Sequence, residues 1–132
     1  MKLLSAINVN ETDVSSNNAI PLFINYAQSC SGMISTGNSI IIYRPGYFLV
    51  TVTVTATAAA AGDIVLSLQK NGVDIPGITA TETITTPDTE VRTLTLQGVF
   101  RVTCNEGKPL LTLINKSTVD ITTTNVSVTI EG

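Results

Sequence analysis

The clearest pattern in the chain is an alternation of apolar and polar positions over residues 47–57. Apolar residues fill the even positions from Phe48 to Val54, and threonine fills most of the odd positions. Successive side chains of a β-strand point to opposite faces, so the pattern predicts a long strand with one buried face. A second alternating run ends at Asn71-Gly72, which is a strong hairpin signal. Together the two runs predict antiparallel β structure.

Similar short runs continue from Ile20 almost to the last residue. Glycine, proline and asparagine interrupt them at intervals of about 8 to 12 residues, and no segment has a helical period. Short strands with this spacing are typical of a two-sheet β-sandwich or jelly roll. The predicted strands are 22–28, 33–35, 39–43, 47–57, 63–70, 73–75, 79–85, 91–102, 109–115 and 125–131.

The parity of the apolar positions predicts which side chains form the core. Residues 40–42 are three consecutive isoleucines, so we expect both faces of that strand to be covered, one of them by another subunit. The predicted core consists of Phe48, Val50, Val52, Val54, Ile64, Leu66, Leu68, Leu94, Leu96, Phe100, Val102, Leu111, Leu113, Val126, Val128 and Ile130.

Residues 1–18 differ from the rest of the chain, because they are polar and rich in turn-forming residues. Leu3, Leu4, Ile7 and Val9 are isolated apolar residues within this segment. A frayed terminus is one interpretation. Four large aliphatic residues would be unusual in a free tail, however, which favours an arm that packs on a neighbouring molecule. We therefore expect an N-terminal arm or anchor at 1–18 and one β domain at 19–132.

Composition indicates how the surface is made. Charged residues form 13% of the chain, about half of the ~25% of an average soluble domain. Threonine, serine and asparagine must therefore supply most of the polar surface. Long apolar strands with few charges leave adhesive edges, which closed cyclic association would protect. We expect large subunit contacts; a monomer with a threonine-rich face is the alternative.

Several function classes are disfavoured. The net charge is −3 and the seven basic residues are scattered, which argues against nucleic-acid binding. No apolar run reaches the ~18 residues of a membrane span. The apolar start at residues 1–4 is too short for a signal peptide, so we expect no secretion. Cys30 and Cys104 are able to pair, but without a secretion signal free thiols are the favoured state.

Catalytic chemistry also lacks its usual residues. The chain has no histidine, no tryptophan and no phosphate-binding glycine motif, and its ten acidic residues are scattered. We expect neither an enzyme nor a cofactor. Loop aspartates are able to bind calcium, but no calcium-loop motif is present and turn formation is the favoured role. The aspartates in question are Asp63, Asp74, Asp88 and Asp120.

Four segments resemble the C1q/TNF-like jelly-roll family. They are the Pro-Gly turn and aromatic strand within 36–50, the hairpin at 66–72, the strand at 94–98 and the closing strand at 125–130. The resemblance extends over residues ~20–131. It implies a homotrimer displayed on the outside of a particle or cell.

Two further segments, 58–66 and 71–81, resemble short proteins of gut phages and prophages. They are also similar to the C-terminal domains of collagen-like spore-surface proteins, although the collagen-like stem of those proteins is missing here. The expected function is therefore a non-enzymatic virion structural protein, a trimeric head-fibre or capsid decoration protein. It would be made in the bacterial cytoplasm and displayed on the virion surface. The alternatives are a receptor- or glycan-binding adhesin head and a spore- or cell-surface structural protein.

The resemblance and the strand pattern together suggest contact residues. We expect the arm to bind a capsid or other virion protein, and loops 77–88 and 115–124 to be the place for a host glycan or surface protein. Ordinary core positions for Leu22 and Ile24 are the alternative to a role between subunits. The predicted trimer interface is Leu22, Ile24, Tyr26, Tyr47 and Leu49, and the predicted capsid anchor is Leu3, Leu4, Ile7 and Val9.

Overall fold

The structure is a computed structural model that describes residues 3–22, 24–28 and 32–132, with side chains for all of these except 24–28. The described residues form eleven β-strands and no helix. The strands are β1 Leu3–Asn8, β2 Thr12–Val14, β3 Ile24–Gln28, β4 Met33–Ser35, β5 Ile40–Ile42, β6 Gly46–Ala58, β7 Gly62–Lys70, β8 Val73–Ile84, β9 Arg92–Val102, β10 Leu110–Asn115 and β11 Ile121–Glu131.

The strands form two antiparallel sheets that pack face to face. The six-stranded sheet has the order β3-β1-β11-β6-β9, and β2 pairs with the other half of β11. The five-stranded sheet has the order β4-β5-β10-β7-β8. Successive strands of the chain often lie in different sheets, as in a jelly roll. The predicted all-β jelly-roll architecture is confirmed.

The core lies between the sheets and follows the alternation of the sequence. Every predicted core residue is buried, and the Phe48 and Phe100 rings stack across β6 and β9 with centroids 5.5 Å apart. Strand β6 pairs along its length with β9 on one side and β11 on the other. The valines of β6 are therefore enclosed from both sides, which explains why this segment gives the strongest pattern in the sequence.

The predicted hairpin at Asn71-Gly72 joins β7 to β8. Both residues have positive φ angles, 53° and 81°, as a two-residue hairpin turn requires. Two strands were predicted beyond this turn, at 73–75 and 79–85, but one continuous strand is present. Pro76 and Gly77 lie in an irregularity of this strand, because residues 75–78 are left out of the pairing with β7. Asp74 pairs with Gln69 before the irregularity, and Thr79 pairs with Ser67 after it.

The N-terminal segment is part of the sheet. Strand β1 lies between β3 and β11, and the side chains of Leu4 and Ala6 are completely buried. Strand β2 adds three further pairs with β11. The part of residues 1–18 that the structure describes is therefore integral to the domain, and the expected separate arm is corrected. The physical reason is that β1 is an inner strand of the sheet, between β3 and β11, and that every second side chain of β1 enters the core.

Two buried asparagines hold the next part of the chain. The Asn8 amide donates to the Pro21 carbonyl at 3.2 Å. The Asn115 amide donates to the carbonyls of Val14, Ser15 and Val119 at 3.2 to 3.4 Å. These bonds fix the segment that crosses from the six-stranded to the five-stranded sheet. Within the described chain, no helix is long and apolar enough to span a membrane.

Candidate functional site: the outward face of the six-stranded sheet

The six-stranded sheet presents a broad face away from the core. Its outward residues lie in rows across β1, β11, β6 and β9, because the strands are paired in register. One row is Leu3, Glu131, Leu49 and Val99. The next two rows are Ser5, Thr129, Thr51 and Gln97, and then Ile7, Ser127, Thr53 and Thr95.

The middle of this face carries no charge. Among its described side chains, the charged ones are Glu131 and Arg101 near one end and Asp13 near the other. Threonine and serine hydroxyls form most of the remaining polar surface. Covering a hydroxyl group costs much less than covering an unpaired charge, and a hydroxyl can form a new hydrogen bond within an interface. The face is therefore suited to contact with another protein surface.

The face ends at a long free edge. Strand β9 is the last strand of its sheet and β8 is the last strand of the other, so the two edges lie beside each other. Val99 on β9 is 62% exposed and Val73 at the start of β8 is 69% exposed. Uncovered edges of this length are adhesive unless another chain covers them.

A groove opens between these two edges. Its volume is about 500 Å³, and Ile75, Pro76, Val99 and Phe100 form its apolar part. Lys70 lies on its rim, where the ammonium group forms an ion pair with Glu106 at 2.6 Å. This groove extends the apolar end of the candidate face around the edge of the sandwich.

Gly98 allows the two edges to approach closely. A Cβ atom at this position would lie 2.6 Å from Cγ1 of Ile78, whose side chain is 1% exposed. Such a distance is too short for a van der Waals contact, so any larger residue would force the strands apart. A glycine in a strand interior is often explained by close approach of this kind.

The predicted interface residues have different positions. Tyr47 is 67% exposed and Leu49 is half-buried, and both lie on the outward face as expected. Arg101 lies over the Tyr47 ring, 5.5 Å from its centroid. Leu22 is instead a core residue with 2% exposure, so its predicted place between subunits is corrected: it fills the space between the sheets. The side chains of Ile24 and Tyr26 lie outside the described residues.

The predicted anchor residues lie in three different places: in the core, on the outward face and in the loop after β1. Leu4 is completely buried, so the prediction that it contacts a capsid is corrected; strand parity directs it into the core. Leu3 and Ile7 have the opposite parity and lie half-buried on the outward face. Val9 is 58% exposed in the loop after β1. For Leu3, Ile7 and Val9, a role in anchoring stays a prediction.

The acidic side chains are engaged in local structure. Thr85 donates its backbone N–H and its hydroxyl to Glu90, Thr86 adds a backbone N–H, and Arg92 pairs with the same carboxylate. These donors, Thr85 first, lower the pKa of Glu90 to about 2. Bonds from Lys70 and then Thr103 lower the pKa of Glu106 in the same way. Each carboxylate stabilises a turn, which is an ordinary structural role.

The loop aspartates considered for calcium are not all together. Asp63 accepts a hydrogen bond from Thr83, and Asp74 accepts one from Gln69 at the other end of β7. Asp88 and Asp120 line a cavity of about 300 Å³ together with Asp13. Among the residues described, no group of three or more histidine, cysteine, aspartate or glutamate side chains could hold a metal ion. Cys104 is exposed and its thiol is free.

Sequence reasoning missed the lateral arrangement of the site. Leu3 and Ile7 belong to the same face as Tyr47 and Leu49, although at least 40 residues separate them in the chain. Part of the alternation that predicts a strand is visible in the sequence, since Leu3, Ser5 and Ile7 alternate with Leu4 and Ala6. Alanine and the following asparagine made the buried half of that alternation hard to recognise.

No protein-family model and no curated protein matches the chain. Solved structures do match. Eiger TNF from S. frugiperda is 12% identical, with a TM-score of 0.70 over 100% of this chain and 94% of that one. The globular domain of zebrafish complement 1qA is 8% identical, with a TM-score of 0.70 over 98% and 95%.

A third match is the PRD1 vertex protein P5, which is 11% identical with a TM-score of 0.59 over 98% of this chain and 94% of that one. Identities of this size show the fold alone. The near-complete coverage of both chains means that the likeness extends over the whole domain. The chain therefore has the two-sheet jelly-roll fold of C1q/TNF-like domains.

Proposed function

We propose that this chain is a non-enzymatic, homotrimeric structural protein displayed on the surface of a phage virion, as a head-fibre or capsid decoration protein. The observation that carries the proposal is the outward face of the six-stranded sheet, which has no charge in its middle and ends at the free edges of β8 and β9. A face and an edge of this kind both need a covering partner, and a second copy of the chain offers both.

Contact between the face of one subunit and the edge of the next would use two different surfaces of each subunit. Such a contact is heterologous, and it must close into a ring or continue as a filament. The resemblance to C1q/TNF-like domains implies a ring of three. Covering Leu3, Leu49 and Val99 would contribute about 25 cal/mol per Å² of apolar area. The surrounding hydroxyl groups add little cost where they form hydrogen bonds across the contact.

Two observations support the location on a virion. Segments 58–66 and 71–81 resemble short phage and prophage proteins. The fold is similar to that of the PRD1 vertex protein P5. A trimer would present three identical attachment surfaces, and threefold avidity would hold the particle firmly even if each contact were weak.

The assembly is tested by light scattering of the purified chain at micromolar concentration. We expect a mass near three times 13.9 kDa. Thr53→Glu would place a charge in the middle of the outward face and should give a monomer with an unchanged circular dichroism spectrum. Thr112→Glu is the matched control, since Thr112 is similarly half-buried but lies on the five-stranded sheet. A wild-type monomer, or equal masses for the two variants, would contradict the proposed interface.

The location is tested separately. Particles purified from an induced lysate of a bacterium that carries this gene are examined by mass spectrometry and by immunogold electron microscopy. We expect the chain in the particle fraction, with label at the particle surface. Recovery of a trimer only in the cell-envelope or spore fraction would retain the assembly and reject the virion role.

A further inference from the structure

The two ends of the sandwich have different surfaces. The Tyr43 end contains the turns at 43–45 and 71–72 and the loop at 103–109; the Asp120 end contains the loops at 59–61, 85–91 and 116–120. Eight large apolar side chains in the described part of the chain are exposed, and six of them lie toward the Tyr43 end. Those six are Ile34, Tyr43, Tyr47, Val73, Val99 and Leu110.

Acidic residues show the opposite distribution. All ten are in the described part of the chain, and seven lie in the half of the sandwich toward the Asp120 end. The seven are Glu11, Asp13, Asp63, Glu82, Asp88, Glu90 and Asp120. The Asp120 end is therefore acidic, whereas the Tyr43 end has most of the exposed large apolar side chains together with Arg44, Lys70, Arg101 and Lys108. Contiguous exposed apolar surface is the kind that marks contact with a partner, which makes the Tyr43 end the candidate for such a contact.

An apolar row crosses the Tyr43 end on the five-stranded sheet, away from the proposed subunit interface. Ile34, Ile41 and Leu110 are direct cross-strand neighbours on β4, β5 and β10. Ile34 is 38% exposed and Leu110 is 42% exposed. Three adjacent aliphatic side chains therefore form a continuous, partly exposed strip. Nothing in the described part of the chain covers it fully.

Two cations border this strip. Lys108 lies over the Tyr43 ring, with its ammonium nitrogen 5.3 Å from the ring centroid, and Arg44 is exposed in the adjacent turn. The ion pairs found among the described residues involve other cations, namely Lys70, Arg92 and Lys116. Arg44 and Lys108 therefore have no carboxylate partner within the described chain. We call Ile34, Ile41, Tyr43, Arg44, Lys108 and Leu110 the Tyr43 patch.

We propose that the Tyr43 patch is a docking surface for a protein segment that carries both aliphatic and acidic side chains. The aliphatic strip would bury apolar groups of the partner, and Arg44 and Lys108 would pair with its carboxylates. Two cations on a chain with a net charge of −3 are too few for a nucleic-acid surface. Aliphatic side chains likewise match a protein better than a phosphate backbone.

This inference deepens the proposed function, because it names the surface that would face the particle. The Tyr43 end would point toward the capsid and the acidic Asp120 end toward the medium. It adds a second attachment surface to the anchor expected in residues 1–18, where β1 is paired within the sheet.

The test is a selection of 12-residue peptides from a random displayed library on the immobilised full chain. Enriched peptides are synthesised with a fluorescent label and titrated by anisotropy. We expect peptides rich in leucine, isoleucine or valine together with aspartate or glutamate. The double variant Arg44→Glu/Lys108→Glu should weaken their binding at least tenfold, and Leu110→Ser should weaken it about fivefold, roughly the effect of one lost apolar contact.

The control is Arg92→Glu/Lys116→Glu, which makes the same change in net charge away from the patch and in addition removes the ion pairs with Glu90 and Asp74. Thermal unfolding of each variant verifies that it is folded. Basic or uncharged enriched peptides, or equal weakening by the two double variants, would overturn the docking site. So would stronger binding to phosphatidylglycerol vesicles than to any selected peptide. Acidic peptides bound by a chain that is absent from particles would retain the docking site and reject the virion role.

Discussion

At the scale of single residues, the buried asparagines show how a polar side chain can hold a crossing of the chain between two sheets. Asn115 is completely buried, and its amide serves three backbone carbonyls while its carbonyl accepts from the Ser117 N–H. A buried carbonyl without a donor loses the hydration it would have in the unfolded chain. Asn115 therefore stabilises the crossing, because its amide supplies the hydrogen bonds that water cannot supply to these carbonyls.

Asn115→Ala should lower the free energy of unfolding by about 2–4 kcal/mol, since it leaves several buried carbonyls without donors. The measurement is urea unfolding followed by circular dichroism. Asn105→Ala is the control, because Asn105 is exposed in the loop after β9. If the two variants unfold at the same urea concentration, the hydrogen bonds of Asn115 do not hold the crossing.

Glu90 makes stability depend on pH. Its pKa of about 2 lies below the ordinary value of 4.5, so folding favours the ionised carboxylate. The stabilisation is present above pH 4.5 and is lost as the pH falls toward 2. Glu90→Gln should therefore lower the thermal midpoint at pH 7 and flatten its decline over this acid range. The same change at Glu11, which is exposed, is the control; a curve for Glu90→Gln that runs parallel to the wild type would contradict the assignment.

At the scale of elements, β1 is the clearest difference between sequence and structure. The alternation of β6 was easy to recognise, because valine and phenylalanine occupy its buried positions. The buried positions of β1 hold Leu4, Ala6 and Asn8, of which only leucine is strongly apolar. Sequence periodicity could not predict that this segment pairs with β11, since the partner is more than a hundred residues away.

Strand β1 is tested by a pair of substitutions. Leu4→Ala should cost about 2–4 kcal/mol of unfolding free energy, as for other buried leucines, because it opens a cavity in the core. Val9→Ala, in the exposed loop after β1, should stay within about 0.5 kcal/mol of the wild type. Urea unfolding measures both. If both changes have equally small effects, Leu4 is not a core residue and residues 1–18 form the separate arm that the sequence suggested.

The contact between β8 and β9 is tested at Gly98. Gly98→Ala should destabilise the protein by about 1–3 kcal/mol, because the new Cβ atom would clash with Ile78. Adding Ile78→Ala should recover part of this loss, although Ile78→Ala alone is destabilising. The double-mutant cycle gives the coupling free energy of the two positions. Additive effects would mean that the clash is relieved elsewhere.

At the scale of the whole molecule, the sequence predicted which side chains are buried better than it predicted which exposed side chains lie together. Parity predicts which side chains are buried, and the structure agrees at every predicted core position. It also separates Tyr47 and Leu49 from the core. What parity cannot supply is strand order, which decides that Leu3, Leu49 and Val99 form one row. For the same reason it could not identify Leu22 as core rather than interface.

Trimer formation should make stability depend on concentration. Subunits that associate only when folded raise the midpoint of unfolding as their concentration increases. The protein concentration is raised about 100-fold from a starting value of about 1 μM. We expect the urea midpoint of the wild-type chain to rise over this range and that of Thr53→Glu to stay constant. Static light scattering of the same samples reports the mass. A wild-type midpoint that is independent of concentration would contradict obligate association.

The pairing of β1 with β11 also has a consequence for synthesis. Leu3 pairs with Glu131, so the six-stranded sheet joins the first described strand to the last one. The ribosome releases β11 only after all the other strands, and until then β1 has no partner on that side. Long-range pairing of this kind slows folding and prolongs the exposure of apolar strands. A nascent chain would therefore remain open to chaperones until β11 has left the ribosome.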